Sequence, residues 1–155
     1  MKFLLKLCQS LNENKIIYAV AGGWAVALHK IPRNTFDVDL VLKLNEANFK
    51  NTQKVLNDLG LTSQIPVNAE QVFHFREEYI QNKNLIAWSF VNQLMPSEVV
   101  DVILTEDQSE LETEVKDVAG IKIKVLSAGA LIYMKKKSNR PQDQEDIKWL
   151  QKLII

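Results

Sequence analysis

Asp37 and Asp39 stand two residues apart in the run F-D-V-D-L-V-L, residues 36–42. The surrounding Val and Leu predict a strand, whose side chains alternate with a period of two. Both carboxylates then leave one face, about 6.5–7 Å apart along it, and Val38 and Leu40 turn to the other. Two ionised carboxylates on one face repel, and neither tolerates burial without a partner. A divalent cation removes both objections, because hard cations such as Mg²⁺ take carboxylate, water and phosphate oxygens. Upstream, Gly22-Gly23 break the apolar run Y-A-V-A and precede a short helical stretch. Glycines let backbone N–H groups approach a phosphate closely, and the start of a helix favours an anion. A phosphate cradle followed by a carboxylate pair points to a nucleoside triphosphate with its metals.

Holding these groups requires a strand, a glycine turn, a helix, a loop and a second strand. Residues 18–21 supply the first strand and 24–29 the helix, which Pro32 terminates because the residue before a proline is pushed out of the α region. Residues 36–42 are the second strand. Before this unit, residues 2–13 predict a helix with Phe3, Leu4, Leu7 and Leu11 on its core face. After it, 45–60 predicts a helix lined by Phe49, Val55, Leu56 and Leu59, with Gly60 just past its end. Residues 61–65 form a short edge strand. Asn68 caps a short helix through Phe75, and E-E-Y-I-Q-N-K-N continues as polar loop. His74, flanked by Phe73 and Phe75, reads as a packed histidine. Segments 85–92 and 98–105, joined by M-P-S, form an antiparallel hairpin. The acidic run 106–114 is a solvated loop. A turn at Gly120 leads into I-K-I-K-V, a strand whose polar face carries Lys122 and Lys124. Ser127 caps the next helix, with Leu131, Ile132 and Met134 inward. Pro141 opens the last helix, whose apolar tail of Leu153, Ile154 and Ile155 docks on the body or on a second subunit.

Two further groups of residues invite chemistry. Asp101 is an acid inside the apolar run E-V-V-D-V-I-L-T. It either faces solvent on a one-sided sheet or is paired or coordinated, since an isolated buried charge is costly. Near the C-terminus, Lys135, Arg140, Asp143 and Asp146 follow one another, the two acids three apart on one helical face. They form either a clasp between helices or a phosphate-holding group.

The 155 residues suit one domain, 1–155, with the helices of 127–155 packed on it. Charge is balanced at 19 basic and 19 acidic residues, so no global field draws in nucleic acid and a polynucleotide partner would need a local patch. Cys8 is the only cysteine, which leaves no intrachain disulfide and fits a reducing compartment. The N-terminal M-K-F-L-L-K-L-C is interrupted by Lys6 and is too short for a signal peptide, and no run approaches the roughly 20 apolar residues of a membrane span. The expected location is the cytoplasm.

The run G-G-W-A followed by R-N-T-F-D-V-D resembles the signature of the nucleotidyltransferase (DNA polymerase β-like) superfamily. It looks most like the small bacterial members, the AbiEii-type toxin and the lincosamide or aminoglycoside nucleotidyltransferases. Gly22, Gly23, Arg33, Thr35, Asp37 and Asp39 fit that pattern position by position. Asp101 is similar to its third carboxylate, and Lys135 with R-P-x-D-x-x-D is similar to its C-terminal motif. One departure is Gly23: many members have serine there, with a hydroxyl on the triphosphate, so here that contact is missing or supplied from elsewhere. The resemblance implies an α/β (α+β) fold with a mixed, twisted sheet and helices mainly on one side. It implies two Mg²⁺ ions on Asp37, Asp39 and Asp101, and a nucleoside triphosphate donor held by Gly22, Gly23, Thr35 and Lys135. Arg33 either contacts a phosphate or braces the D-x-D loop, and Asp143 and Asp146 hold Lys135 or Arg140.

The reaction so implied is transfer of a nucleoside monophosphate to an acceptor hydroxyl. An RNA acceptor such as a tRNA end, in a toxin–antitoxin setting, calls for a basic channel, with Lys122, Lys124 and Lys135 to Lys137 as candidates. A small acceptor such as an antibiotic calls for a deep pocket, with Trp24, Trp88 and the acids of 106–114 as candidates. A non-catalytic relative that binds nucleotide or a partner is the third possibility. A partner chain or a homodimer is expected, because so short a chain has little room for an acceptor domain of its own.

Overall fold

A computed structural model of the chain describes residues 1–154, so Ile155 of the apolar tail lies outside the described residues. The order of elements is α1 (Lys2–Glu13), β1 (Tyr18–Ala21), α2 (Gly22–Leu28), β2 (Val38–Leu42), α3 (Glu46–Asp58), β3 (Leu61–Ser63), α4 (Ala69–His74), α5 (Arg76–Lys83), β4 (Ala87–Asn92), β5 (Val99–Ile103), β6 (Thr113–Val118), β7 (Ile121–Leu126), α6 (Ala128–Ser138) and α7 (Pro141–Gln151). One turn of 3₁₀ helix, Gln108–Glu110, precedes β6.

The strands form one mixed sheet in the order β3-β4-β5-β2-β1-β7-β6. Strands β2 and β5 run parallel, as do β1 and β7, and the other neighbours are antiparallel. One face of this sheet carries Val20, Val38, Leu40, Trp88, Phe90, Val100, Val102, Ile123 and Val125, all buried. Leu4, Leu7, Cys8 and Leu11 of α1 and Phe49, Val55 and Leu56 of α3 join them in the core. The other face bears Asp39, Ser89, Asp101 and Ile103 and is half-exposed where the cleft lies. Among the described residues no helix is long and apolar enough to cross a membrane.

Several boundaries differ from the sequence expectation. Strand β2 begins at Val38, so Asp37 sits in the loop before it and the period-two argument holds only for Asp39. The stretch read as polar loop is helix α5. It has no side-chain N-cap and no buried residue, but Asn84 closes it in the left-handed region, and Arg76 Nη1 donates to the Leu104 carbonyl at 2.6 Å. Strand β6 was not expected: T-E-V-K-D-V is mostly exposed, and its order comes from pairing with β7 through the Ala119-Gly120 turn, both residues at positive φ. The run 106–114 is not all solvated, since Glu106 and Gln108 are buried. His74 is exposed rather than packed, and its ring hydrogen-bonds Glu46. The caps at Asn68 and Ser127 form as expected, and Asn45, read as the first residue of its helix, caps α3 instead, each side chain accepting a backbone N–H.

Candidate active site

Strand pairing alone assembles the centre of the site. Ala21 lies opposite Asp39, Asp39 opposite Asp101, and Asp101 opposite Ser89. These four residues form one row across β1, β2, β5 and β4, with neighbouring strands about 4.8 Å apart. Members of such a row share a face, so the two aspartates stand side by side beneath the glycine turn that follows Ala21.

That proximity shapes their titration. Burial, then the charges of Asp101 and Asp37, push the Asp39 carboxyl up to about 7, opposed only by the Lys135 charge. The Asp37 carboxyl is also raised, by burial first and then by the charge of Asp101. Ser89 Oγ donates to Asp101 Oδ1 at 2.5 Å. Gly22 adopts φ 62°, and a Cβ on it would overlap Asp39 Oδ2. The first glycine is therefore fixed by the carboxylate beside it as well as by the turn. Helix α2 has only seven residues, which limits how much its dipole adds to an anion site.

Opposite the acids stands a second charged group, carried by α6, α7 and the loop before β2. Lys135 Nζ donates to Asp146 Oδ2 at 3.0 Å and lies 3.6 Å from Asp143 Oδ1. Asp143 also accepts from Ser138 Oγ, from the Arg140 backbone N–H and from Arg140 Nε. Burial works to raise the Asp143 carboxyl, but these hydrogen bonds outweigh it and hold the group well below the usual carboxylate range. Asp146 accepts from Gln142 Nε2 at 3.0 Å and from Arg33 Nε at 3.3 Å. The two roles left open for Arg33 are therefore both in view: it is tied to Asp146 and to the Asn34 carbonyl, and it borders the cleft. Trp24 Nε1 pins the same loop through the Phe36 carbonyl.

Two connected spaces open on these groups. A polar cleft of about 320 Å³ is bordered by Gly22, Gly23, Arg33, Thr35, Phe36, Asp37, Asp39, Asp101, Lys135 and Arg140. All eight residues marked in the sequence thus meet there. Arg140 joins them as a residue the sequence reading treated only as something to be held; the signal was its place directly before Pro141, at the N-cap of α7. A cavity of about 640 Å³ shares Gly22, Asp39, Asp101, Lys135 and Arg140 with the cleft, and its wall includes Ile86, Ile103, Leu131 and Met134. Glu106 borders this cavity and pairs with Lys137 Nζ at 3.0 Å.

Other candidates fall elsewhere. Trp88 lies in the core with Nε1 donating to Ser63 Oγ, away from the lining of the cleft and the cavity. Lys122 and Lys124 lie on β7 and border neither the cleft nor the cavity, and Lys122 pairs with Asp117 at 2.9 Å. Lys135 borders both spaces and Lys137 the cavity, each in an ion pair, while Lys136 is exposed. Among the described residues, the trio whose metal-ligating atoms all lie within 4.8 Å of one another is Glu46, Glu70 and His74, not the three aspartates. Lys50 lies 3.6 Å from Glu46 and 3.8 Å from Glu70, so the chain supplies that exposed cluster with its own cation. Asp37 is exposed and borders the cleft with Asp39 and Asp101. The chemistry of the donor set still fits a hard divalent cation: three carboxylates, two of them with raised pKa, bordering one polar cleft.

No protein-family model and no curated protein matches the sequence. Its likenesses are structural. The antibiotic-resistance factor ANT(2'')-Ia matches with a TM-score of 0.69 at 12% identity, covering 99% of this chain and 83% of that one. The same protein in complex with adenylyl-2''-tobramycin gives 0.67 at 14% identity, covering 99% and 88%. The lincomycin-bound lincosamide antibiotic adenylyltransferase LnuA gives 0.64 at 17% identity, covering 97% and 96%. At such identities the likeness is one of fold: the chain has a fold like that of these nucleotidyltransferases.

Proposed function

We propose that the chain transfers a nucleoside monophosphate from a nucleoside triphosphate to a hydroxyl of a small organic acceptor. The observation that carries this reading is the row of Asp39 and Asp101 beneath Gly22, with the Asp39 carboxyl pushed up to about 7 by burial and by the charges of Asp101 and Asp37. Such a cluster is completed by cations brought with the substrate. Asp37, Asp39 and Asp101 would hold two Mg²⁺ ions, which when bound neutralise the triphosphate and make the acceptor hydroxyl more acidic.

The chain's own groups divide the remaining work. The backbone of Gly22 and Gly23 and the cations of Lys135, Arg140 and Arg33 border the polar cleft, where the triphosphate would lie. Asp101, oriented by Ser89, faces both spaces and would position the acceptor hydroxyl. The acceptor oxygen attacks the α-phosphorus, the bond to the bridging oxygen breaks, and pyrophosphate leaves. Positioning and electrostatics supply most of the catalysis in phosphoryl chemistry of this kind. The neighbouring cavity, about 640 Å³ with a partly apolar wall, suits the organic parts of the reactants and falls within the range of small-molecule sites. The dispersal of Lys122 and Lys124 away from it favours a small acceptor over RNA.

The test is transfer of label from each α-labelled nucleoside triphosphate with Mg²⁺. Tobramycin, lincomycin, other polyols and total RNA serve as acceptors, and Asp39→Ala as the blank. A small-molecule adduct one nucleotide heavier by mass spectrometry is expected. Label appearing in RNA alone, or no triphosphate binding at all, overturns the reading.

A further inference from the structure

The larger cavity carries two charges that the transfer chemistry leaves unused. Asp39 and Asp101 on its wall belong to the acid row, and Lys135 and Arg140 are paired with Asp143. Glu106 and Lys137 remain. Glu106 lies just beyond β5 and is only 7% exposed, and Lys137 Nζ donates to its Oε2 at 3.0 Å. The same ammonium stands 4.4 Å from the centre of the Tyr133 ring, one turn back on α6. Lys137 is itself exposed, and the Tyr133 and Glu106 side chains raise its pKa, so it is charged at neutral pH. A buried acid without a partner is strongly disfavoured, so a surface lysine here answers an acid of the cavity wall. The wall also includes the apolar Ile86, Ile103, Leu131 and Met134.

We propose that Lys137 sets the charge class of the acceptor: by answering Glu106 it closes the acid in the wall, and the cavity takes an uncharged hydroxyl compound with an apolar face in preference to a polyamine. This inference rests on the transferase reading above. An acceptor ammonium gains from Glu106 only by displacing Lys137, which exchanges one cation for another and returns little. With Lys137 in place the ammonium meets a like charge. Against isoleucine, leucine and methionine its lost hydration is not repaid. Acidic acceptors gain no more, because Glu106 already holds the lysine. An uncharged compound loses no ionic hydration and gains from covering the apolar wall.

Transfer from the labelled triphosphates with Mg²⁺ to a panel of aryl glycosides and alkyl polyols tests this. Each compound is offered in uncharged, ammonium and carboxylate forms, tobramycin serves as the polycation, and melting curves check folding. Wild type is expected to favour the uncharged form over either charged form by at least about tenfold in kcat/KM. Lys137→Gln uncovers Glu106 and should move the ratio about tenfold or more toward the ammonium form. Where the bare acid impairs folding of that variant, Glu106→Gln decides, since it buries no charge. Its unanswered lysine should move the ratio about tenfold toward the carboxylate form. A wild-type preference for tobramycin or the ammonium forms overturns the proposal, as does a ratio that stays put in either folded variant. A change confined to the triphosphate KM also overturns it and assigns the pair to the nucleotide. Triphosphate binding with transfer to no member of the panel overturns it and leaves the nucleotide site standing. No triphosphate binding, or label in RNA alone, removes the transferase reading itself and the proposal with it.

Discussion

The acids beneath the glycine turn and the ions of the two C-terminal helices face the same cleft, yet their charges are answered in opposite ways. Asp143 and Asp146 are almost wholly buried, and each has several donors: Lys135 to both, Arg140 and Ser138 to the first, Arg33 and Gln142 to the second. The Asp143 carboxyl is accordingly held low. Asp39 and Asp37 are more open to the cleft, but burial and one another's company push both carboxyls up. A buried ion satisfied by the chain is scaffold, since removing one partner strands the rest. An acid that the chain leaves unanswered costs stability in the free protein, and it is explained when a ligand brings the missing charge.

The sharpest way to test this contrast is to remove a ligand-facing acid without disturbing shape. Asp101→Asn keeps an acceptor for Ser89 and alters no packing. Turnover is expected to fall by at least about 10⁴, equivalent to roughly 5.5 kcal/mol of barrier, while the melting temperature holds. Pyrophosphate release measured beside a ligand-free melting curve decides it; a variant within tenfold of wild type would show that Asp101 serves no step.

The opposite region should break in the opposite manner. Lys135→Met leaves Asp143 and Asp146 buried without their shared cation, and the expected loss is about 3–5 kcal/mol of folding stability, read from urea denaturation. The reduced affinity for triphosphate follows from the same lost charge. A loss below about 1 kcal/mol would mean that Arg33, Arg140 and Gln142 carry the clasp without the lysine, and that Lys135 serves the ligand alone.

What could be read from the chain follows the same division. Gly22, Gly23, Asp37 and Asp39 were legible because a short local run carries both chemistry and secondary structure. Asp101 stood out as an acid among Val and Ile, and the hairpin that carries it was legible, but its register opposite Ser89 came only with the fold. The partners of Lys135 were legible from the three-residue spacing of Asp143 and Asp146, but Arg33 belongs to that cluster only through a contact 113 positions away in sequence. Helix α5 and strand β6 were not legible. The first has little apolar periodicity and is fixed by Arg76 on a distant carbonyl, and the second buries none of its residues along an edge. Tertiary pairing, not local preference, decides such segments.

The contrast can also be read without any substrate, from pH. Asp39 titrates near 7 in the folded chain and near 4 when unfolded, so between these values the folded state holds the extra proton. Stability of the metal-free protein therefore falls as pH rises from about 4 to about 7, by at most about 4 kcal/mol. Solvent in a half-open cleft reduces this to roughly 2 kcal/mol. Asp39→Asn removes the penalty. Free of metal at pH 8, the variant is expected to be more stable than wild type by about 2 kcal/mol, a few degrees of melting temperature, with no difference near pH 4. Added Mg²⁺ should raise the wild type and leave the variant where it was. A variant less stable than wild type at pH 8 would place Asp39 with the scaffold acids.

The smallest expected effect lies at the join between β4 and the acid row. Among the described residues, Ser89 is the one whose hydroxyl bonds a ligand-facing acid, Asp101 Oδ1, from the directly opposed strand position. Because Asp101 stays partly exposed, losing that bond should cost less than about 1 kcal/mol of stability. Its purpose is then orientation, holding one carboxylate oxygen so that the other faces the cleft. Ser89→Ala is expected to lower kcat about five- to tenfold, near 1–1.4 kcal/mol, with the KM for the triphosphate almost unchanged. Ser89→Thr, which keeps the hydroxyl on a strand that favours β-branched residues, should restore most of the rate. The split between kcat and KM is the informative quantity. A rise in KM alone would assign Ser89 to the cavity wall and leave Asp101 to orient itself through its strand, with nothing but its neighbours' repulsion to aim it.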